Sequence, residues 1–219
     1  MKRVAILVDG GFYRRQIVRL EGELPAAKSA DRLVQYCKRH LHEHETTNDL
    51  YRIFYYDCPP SAKKVYHPFL KKQIDLGKSD LFEWTNIFLN SLRKKRKVAL
   101  RLGELSEEQA RYMLSYDALK KVCNERLTLN DLTENDFYLD ISQKGVDMKI
   151  GIDIASLSYK KQVDQIVLIS GDSDFVPAAK LARREGIDFI LDPMWAPIKD
   201  NLNEHIDGLR TKTPRKNIR

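Results

Sequence analysis

The chain has 219 residues, which is enough for one sizeable α/β domain and too few for two of ordinary size. Apolar residues make up 42% of it, so a buried core can form. It has no run of 18 apolar residues, and the apolar run before Asp9 is shorter than the core of a secretory signal. We therefore expect a cytoplasmic protein with no membrane partner, and its net charge of +7 favours polyanions as ligands.

The cysteine and histidine pattern indicates neither a disulfide framework nor a zinc site. Cys37, Cys58 and Cys123 are odd in number, widely spaced and without a CxxC motif, so reduced thiols are expected. On a helix, His40 and His44 would share a face, but no third ligand is evident. We interpret that face as solvated.

In chain order, the first part of the sequence predicts a buried strand, two helices and a second strand. The first strand, RVAILV, ends in a tight turn at Asp9-Gly10-Gly11, and Ser29 or Asp31 is expected to cap the second helix. The spacing of apolar residues gives these four elements as residues 3–8, 12–20, 29–44 and 50–56.

The remainder begins with residues 61–96, which are polar and basic and are expected to be helical in parts. The pattern then predicts strands and helices in turn. The strands are at 97–102, 137–141, 165–170 and 187–191, and the helices are at 106–126, 146–159, 175–185 and 199–210. This alternation predicts a mainly parallel sheet with helices on both faces, formed by residues 1–210 as one domain, followed by a flexible basic tail at 211–219.

The segment at 146–158 fits two patterns. Its strict alternation of apolar residues is typical of a strand, whereas Ile150, Ile154 and Leu157 have helical spacing. We favour the helix, because a strand at 137–141, this helix and the strand at 165–170 then form a βαβ unit with short links.

Three aspartates follow directly on the strongest predicted strands. Asp9 follows the first, and Asp172 and Asp174 lie just past QIVLIS. Ligands of open parallel sheets bind in the crevice outside the carboxyl ends of the strands. These carboxylates therefore meet if the two strands are neighbours, and Asp147, at the start of the helix at 146–159, can join them. Asp153 lies about 240° round that helix from Asp147 and is expected to face elsewhere.

Carboxylates gathered in one place repel one another unless they take up protons or share a cation. Oxygen-only ligands suit Mg²⁺ or Mn²⁺, and a metal-bound water is a nucleophile for a phosphate. An acidic metal site on a basic protein therefore fits phosphodiester hydrolysis. Taken singly, Asp9, Asp147 and Asp174 are equally typical of helix caps and first turns.

Three segments carry a family resemblance: VAILVDGGF at 4–12, KGVDMKIGIDI at 144–154 and IVLISGDSDFVPAAKLARREG at 166–186. They resemble the NYN domain family, a branch of the PIN-like nucleases, in its bacterial LabA-like form. The resemblance implies a three-layer αβα sandwich with a mainly parallel sheet, and an Mg²⁺- or Mn²⁺-dependent nuclease acting most often on RNA. By position, it implies that the catalytic metal ligands are Asp9, Asp147, Asp172 and Asp174.

Other residues near these aspartates are expected to bind nucleic acid. The resemblance places Ser170 at a small hydroxyl position of the family, and its charge makes Lys144 a phosphate contact. Tyr13 is expected to stack on a base, with Arg14 and Arg15 on phosphates. Phe12 is expected in the core. Many relatives have Asn near the position of Phe12 and Tyr13, so a polar helper there is not expected.

The sequence thus predicts a metal-dependent endoribonuclease. A nucleic-acid-binding regulatory module without turnover is the alternative, because the basic charge serves it equally well. A phosphohydrolase of the haloacid-dehalogenase kind is disfavoured, since it needs Asp-x-Asp where this chain has Asp9-Gly10-Gly11. RNA against DNA, endo against exo cutting, the number of metals and the oligomeric state are left open.

Overall fold

The most apolar segments of the sequence form the central sheet of the computed structural model, which describes residues 1–43 and 45–214. Strands such as RVAILV are buried on both faces, as is typical of parallel sheets covered by helices. In chain order, the strands of this sheet are β1 (Arg3–Asp9), β2 (Asp49–Asp57), β3 (Val98–Leu102), β4 (Gln165–Ile169), β5 (Asp188–Asp192) and β6 (Gly208–Leu209).

Amphipathic segments form the helices that cover the sheet. The described residues contain α1 (Gly10–Glu21), α2 (Ala26–Arg39), α3 (Asp80–Arg93), α4 (Tyr116–Cys123), α5 (Val146–Tyr159), α6 (Val176–Arg184) and α7 (Asp200–Asn203). None of these helices is long and apolar enough to cross a membrane.

Short antiparallel strand pairs and single 3-10 turns complete the described structure. These pairs join His42–Glu43 with Thr46–Thr47, Lys64–His67 with Lys72–Asp75, Glu104–Leu105 with Gln143–Lys144, and Arg111–Leu114 with Phe137–Asp140. The 3-10 turns are Leu76–Lys78, Glu107–Gln109, Leu129–Asp131, Glu134–Asp136 and Ser173–Phe175.

All pairings in the central sheet are parallel, in the order β6-β5-β4-β1-β2-β3. Strand β1 lies in the interior of the sheet between β4 and β2. Its register sets Val8 opposite Ile169, so the residues that follow these two positions, Asp9 and Ser170, leave the sheet side by side. The predicted meeting of the two strand ends is therefore confirmed.

Alternate residues of β1 point into two separate cores. Ile6 and Val8 pack with α1, α2 and α3 on one face, whereas Ala5 and Leu7 pack with α5 and α6 on the other. The molecule therefore has three layers, as predicted. Phe12 is buried in the first core, as expected.

Several sequence predictions outside the sheet are wrong. The helix expected at 106–126 is limited to α4, because residues 111–114 pair with 137–140 in an antiparallel two-stranded sheet outside the central sheet. The βαβ unit that favoured α5 as a helix therefore does not exist, although α5 itself spans the predicted residues. The helix expected at 199–210 ends at Asn203. Helix α2 starts after Pro25, so neither Ser29 nor Asp31 caps it.

The end of the domain lies beyond residue 210. Thr211 donates a hydrogen bond to Asp192, and Trp195 Nε1 donates to the carbonyl oxygen of Thr213. Residues 211–213 thus contact the domain. Residues 215–219 of the predicted tail, like His44, lie outside the described residues.

The junction between β1 and α1 has no room for a side chain at Gly10. A Cβ there would lie 2.5 Å from Tyr55 Oη and 2.6 Å from the carbonyl oxygen of Tyr56. We expect Gly10→Ala to lower the free energy of unfolding by about 1–3 kcal/mol, the usual cost of overpacking. Urea denaturation followed by circular dichroism measures the change.

The matched control is Gly151→Ala in α5, where nothing lies within 4 Å of an added Cβ. Alanine restricts the unfolded chain and should raise the free energy of unfolding by about 0.5–1 kcal/mol. A Gly10→Ala variant that is as stable as the parent, or more stable, would contradict the described packing at Gly10.

Candidate active site

Asp9 is held at the carboxyl end of β1 by two hydrogen bonds. Its Oδ1 accepts from the backbone N–H of Phe12 at 3.0 Å, which makes Asp9 the N-cap of α1. Its Oδ2 accepts from the Ser170 hydroxyl at 3.1 Å. The capping interpretation and the cluster interpretation of Asp9 are therefore compatible, because each uses a different oxygen.

Ser170 connects Asp9 to the loop that follows β4. It is fully buried, and its hydroxyl oxygen also accepts the backbone N–H of Asp172 at 3.3 Å. The expected contact of Ser170 with nucleic acid is therefore wrong, since a ligand cannot reach this side chain. Its role in the structure is to orient Asp9.

Asp172 and Asp174 lie on the turn between β4 and α6. Asp172 Oδ1 accepts the backbone N–H of Asp174 at 3.0 Å and so caps the 3-10 turn that follows. Phe175, directly after them, is buried in the core and fixes the turn against the sheet. Both aspartates remain exposed, so their carboxylates face solvent at the edge of the sheet.

Asp147 approaches the same edge from α5. Gly145 precedes this helix with a φ of 78°, a left-handed conformation that allows the chain to turn sharply from the short strand Gln143–Lys144 into the helix. Val146 and Ile150 bury the inner face of α5, which leaves Asp147 exposed in the first turn.

The electrostatics show that these four side chains, which we call the aspartate cluster, act on one another. The pKa of Asp147 is raised by partial burial and by the negative charges of Asp172 and Asp174. The pKa of Asp9 is raised chiefly by burial, with a contribution from Asp147, against the lowering effect of its two hydrogen bonds. Arg15 lowers the pKa of Asp9 slightly. The structure thus places Asp147 within electrostatic range of Asp9 on one side and of Asp172 and Asp174 on the other.

The chemistry of the cluster suits a hard divalent cation. Its donors are carboxylate oxygens alone, and they carry mutual repulsion that a cation would relieve. In the part of the chain that the structure describes, no three His, Cys, Asp or Glu side chains are close enough to form a ready-made metal cage.

Asp153 lies outside the cluster, as expected. Its Oδ2 accepts hydrogen bonds from Tyr56 Oη at 2.8 Å and from Arg101 Nε at 2.9 Å. Asp153 therefore ties α5 to β2 and β3.

The predicted nucleic-acid contacts are corrected in part. Tyr13 is only 1% exposed, so its expected stacking on a base is wrong: on α1 it faces the core. Arg14 is half-buried and pairs with Asp57 at 3.0 Å, so part of its charge is already used. Arg15 and Lys144 are exposed and remain available to phosphates.

Two further aspartates end strands of the sheet and were missed. Asp57 ends β2 and is buried, where it accepts from Tyr55, Cys58, Gln143 and Arg14. Asp192 ends β5 and is also buried. The strand-end rule that found Asp9 would have found both, but all their oxygens have protein partners.

Asp192 also explains His40. That histidine is fully buried, with its Nε2 at 2.9 Å from Asp192, and burial lowers its pKa. Tyr36 donates its hydroxyl to the same carboxylate. The expectation of a solvated histidine face is therefore wrong for His40.

The raised pKa of Asp147 predicts a stabilising substitution. A carboxyl whose pKa is higher in the folded state binds more protons there, so stability falls as the pH rises from the unfolded-state pKa through the folded one. Asp147→Asn removes this loss. With chelator present, it should raise the free energy of unfolding at pH 7, and the gain should shrink towards pH 3.

Asp117→Asn is the control, because Asp117 is also the second residue of a helix, α4. Its removal should be neutral or slightly destabilising through the helix dipole. Denaturation curves at several pH values measure both variants. Destabilisation by Asp147→Asn at pH 7 would show that the cluster is not under repulsion.

Comparisons with known proteins bear on the identity of the chain. No curated protein sequence matches it. A solved structure of a protein of unknown function from Vibrio parahaemolyticus aligns over 96% of this chain and 93% of that one, with 13% identity and a TM-score of 0.44. The family model of the NYN domain matches residues 86–203, more than half of the chain, which include Asp147, Asp172 and Asp174. The chain therefore belongs to the NYN domain family and carries a nuclease-like domain of the PIN-like type.

Proposed function

We propose that this protein is an Mg²⁺- or Mn²⁺-dependent endoribonuclease whose metal ligands are the aspartate cluster. The observation that carries the proposal is the position of Asp147 at the carboxyl edge of the sheet. Burial raises the pKa of Asp147 and that of Asp9; Asp172 and Asp174 raise the first further, and Asp147 raises the second. Asp147, Asp172 and Asp174 are exposed at this edge, so a solvated cation and a substrate can reach them. Family membership supplies the nuclease-like setting.

The ligands differ in how firmly the chain holds them. Asp9 is fixed by Phe12 and Ser170, and Asp172 is fixed by its N-cap bond. Asp147 projects from the first turn of a separate helix. Two rigid carboxylates on loops after neighbouring strands and one on a helix can therefore approach a shared cation from two sides.

Charge decides what such a site can take as a substrate. The chain as a whole carries +7 and attracts a polyanion, while the cluster repels the phosphate that must reach it. A bound Mg²⁺ or Mn²⁺ would bridge the two, make a bound water more acidic and stabilise charge on the phosphate. Lys144 and Arg15, both exposed, are positioned to neutralise neighbouring phosphates.

The test is cleavage of RNA by purified protein with Mn²⁺, with Mg²⁺ and with chelator. We expect cleavage with either metal and none with chelator. Asp172→Asn keeps an oxygen to cap the 3-10 turn but removes a charge. It should reduce the rate by roughly 100-fold or more, the effect of removing one charge-stabilising group.

Asp117→Asn serves as the control for this experiment and should cleave like the parent. Internal fragments at early times identify endonucleolytic cutting. If Asp172→Asn cuts as fast as the parent, the cluster is not the catalytic site. If the parent binds RNA but cuts no RNA or DNA with any metal, the protein is a binding module without turnover.

A further inference from the structure

A cleft of about 1060 Å³ lies along α1 and begins at Gly11, two residues after Asp9. Gly11 lines its inner end, where an added Cβ would lie 3.7 Å from Asp9 Oδ1 and 3.9 Å from Arg15 Nη1. The cleft then follows α1 to Val18, a distance of about 10 Å at the helical rise per residue. Its position makes it a continuation of the candidate active site.

One wall of the cleft presents a fixed aromatic ring. Trp84, on α3, lies parallel to Phe88 with 5.0 Å between ring centroids and 14° between planes. Its Nε1 donates to the carbonyl oxygen of Leu24 at 3.2 Å. The indole is half-buried and held at two points, so it offers a flat surface with little loss of side-chain freedom on binding.

The other wall carries positive charge. Arg14, Arg15 and Arg32 line the cleft, opposed by the carboxylates of Glu23 and Asp80. Arg32 is fixed through Nη1, which donates to the carbonyl oxygen of Gly22 at 2.8 Å.

The arginines of this wall lie across the cleft from the aromatic ring of Trp84. A cleft that combines cations with a flat ring suits a ligand that is both flat and rich in acceptors.

We propose that this cleft binds unpaired nucleotides of the RNA strand that is cut, with a base against Trp84 and the adjoining phosphates on Arg15 and Arg32. The inference rests on the proposed nuclease function, which places the scissile phosphate at Asp9. Bases of single strands stack on aromatic side chains, whereas bases in a duplex are already stacked and paired. The volume is at the upper end for a ligand pocket, so more than one nucleotide fits.

The test measures binding of a fluorescently labelled 12-nucleotide RNA of mixed sequence in the presence of chelator, so that no cutting occurs. Trp84→Leu should weaken binding about 10-fold, within the range known for loss of one base–aromatic stack. Trp84→Phe keeps a ring and should stay within about 3-fold of the parent on the same grounds. The control is Tyr159→Leu, an exposed aromatic on α5 outside the cleft, which should bind like the parent.

Trp84 also packs on Phe88, so folding must be separated from binding. In the unmodified protein, tryptophan fluorescence should be quenched as single-stranded RNA is added, and Trp84→Phe should lose most of that quenching. No quenching at saturation, or unchanged binding by folded Trp84→Leu, overturns the proposal.

The phosphate contact has its own readout. Each phosphate contact to a single strand contributes about 0.7 to the slope of log affinity against log salt. Arg15→Gln should lower the slope by about that amount, whereas Arg19→Gln, on the same helix but outside the cleft, should not change it. Equal slopes for the two variants contradict a phosphate at Arg15.

The same RNA annealed to its complement distinguishes single strands from duplex. Duplex binding as tight as single-strand binding, and equally weakened by Trp84→Leu, overturns the proposal. The outcome is independent of catalysis. A parent that binds single strands through Trp84 but cuts nothing leaves the cleft assignment standing and overturns the nuclease proposal.

Discussion

Repulsion among carboxylates at one edge of the sheet is the constraint on which the candidate site depends. Parallel pairing of β1 with β4 leaves Asp9 and Ser170 side by side, and the chain then runs directly into Asp172 and Asp174. Helix α5 adds Asp147 from another direction. Burial raises the pKa of Asp9 and that of Asp147, and the acidic neighbours of each raise it further.

The two other aspartates that end strands have donors or positive charges as neighbours in place of other carboxylates. Asp57 is neutralised by Arg14 and further hydrogen bonds, and Asp192 is surrounded by donors that include Tyr36 and His40. Both aspartates are buried, and all of their carboxylate oxygens have hydrogen-bond partners. The aspartate cluster differs because Asp147, Asp172 and Asp174 are exposed and Asp147 has acidic neighbours. The cleft lined by Trp84 begins at Gly11, close to Asp9, so the proposed cation site and the proposed strand-binding surface adjoin.

The sequence predicted the features of the fold that depend on one strand or helix at a time. The buried strands could be predicted because their apolar residues are local, and the strand-end rule located Asp9 and Asp172. The local pattern of α5 fitted both a strand and a helix, and the helix was favoured by a βαβ unit that the fold lacks. The antiparallel pairing of residues 111–114 with 137–140 could not be predicted, since the two strands are far apart in sequence. Neither could the burial of Tyr13 and Ser170, because burial depends on packing from other elements. The cleft combines α1, α2 and α3, and no local pattern indicates it.

The position of a bound cation tests the central claim most directly. Crystals grown with Mn²⁺ and measured at the manganese absorption edge locate the ion by its anomalous scattering. The account predicts a peak among the carboxylate oxygens of Asp9, Asp147, Asp172 and Asp174. Manganese bound only elsewhere, or no peak at millimolar Mn²⁺ while the carboxylates stay in place, would contradict it.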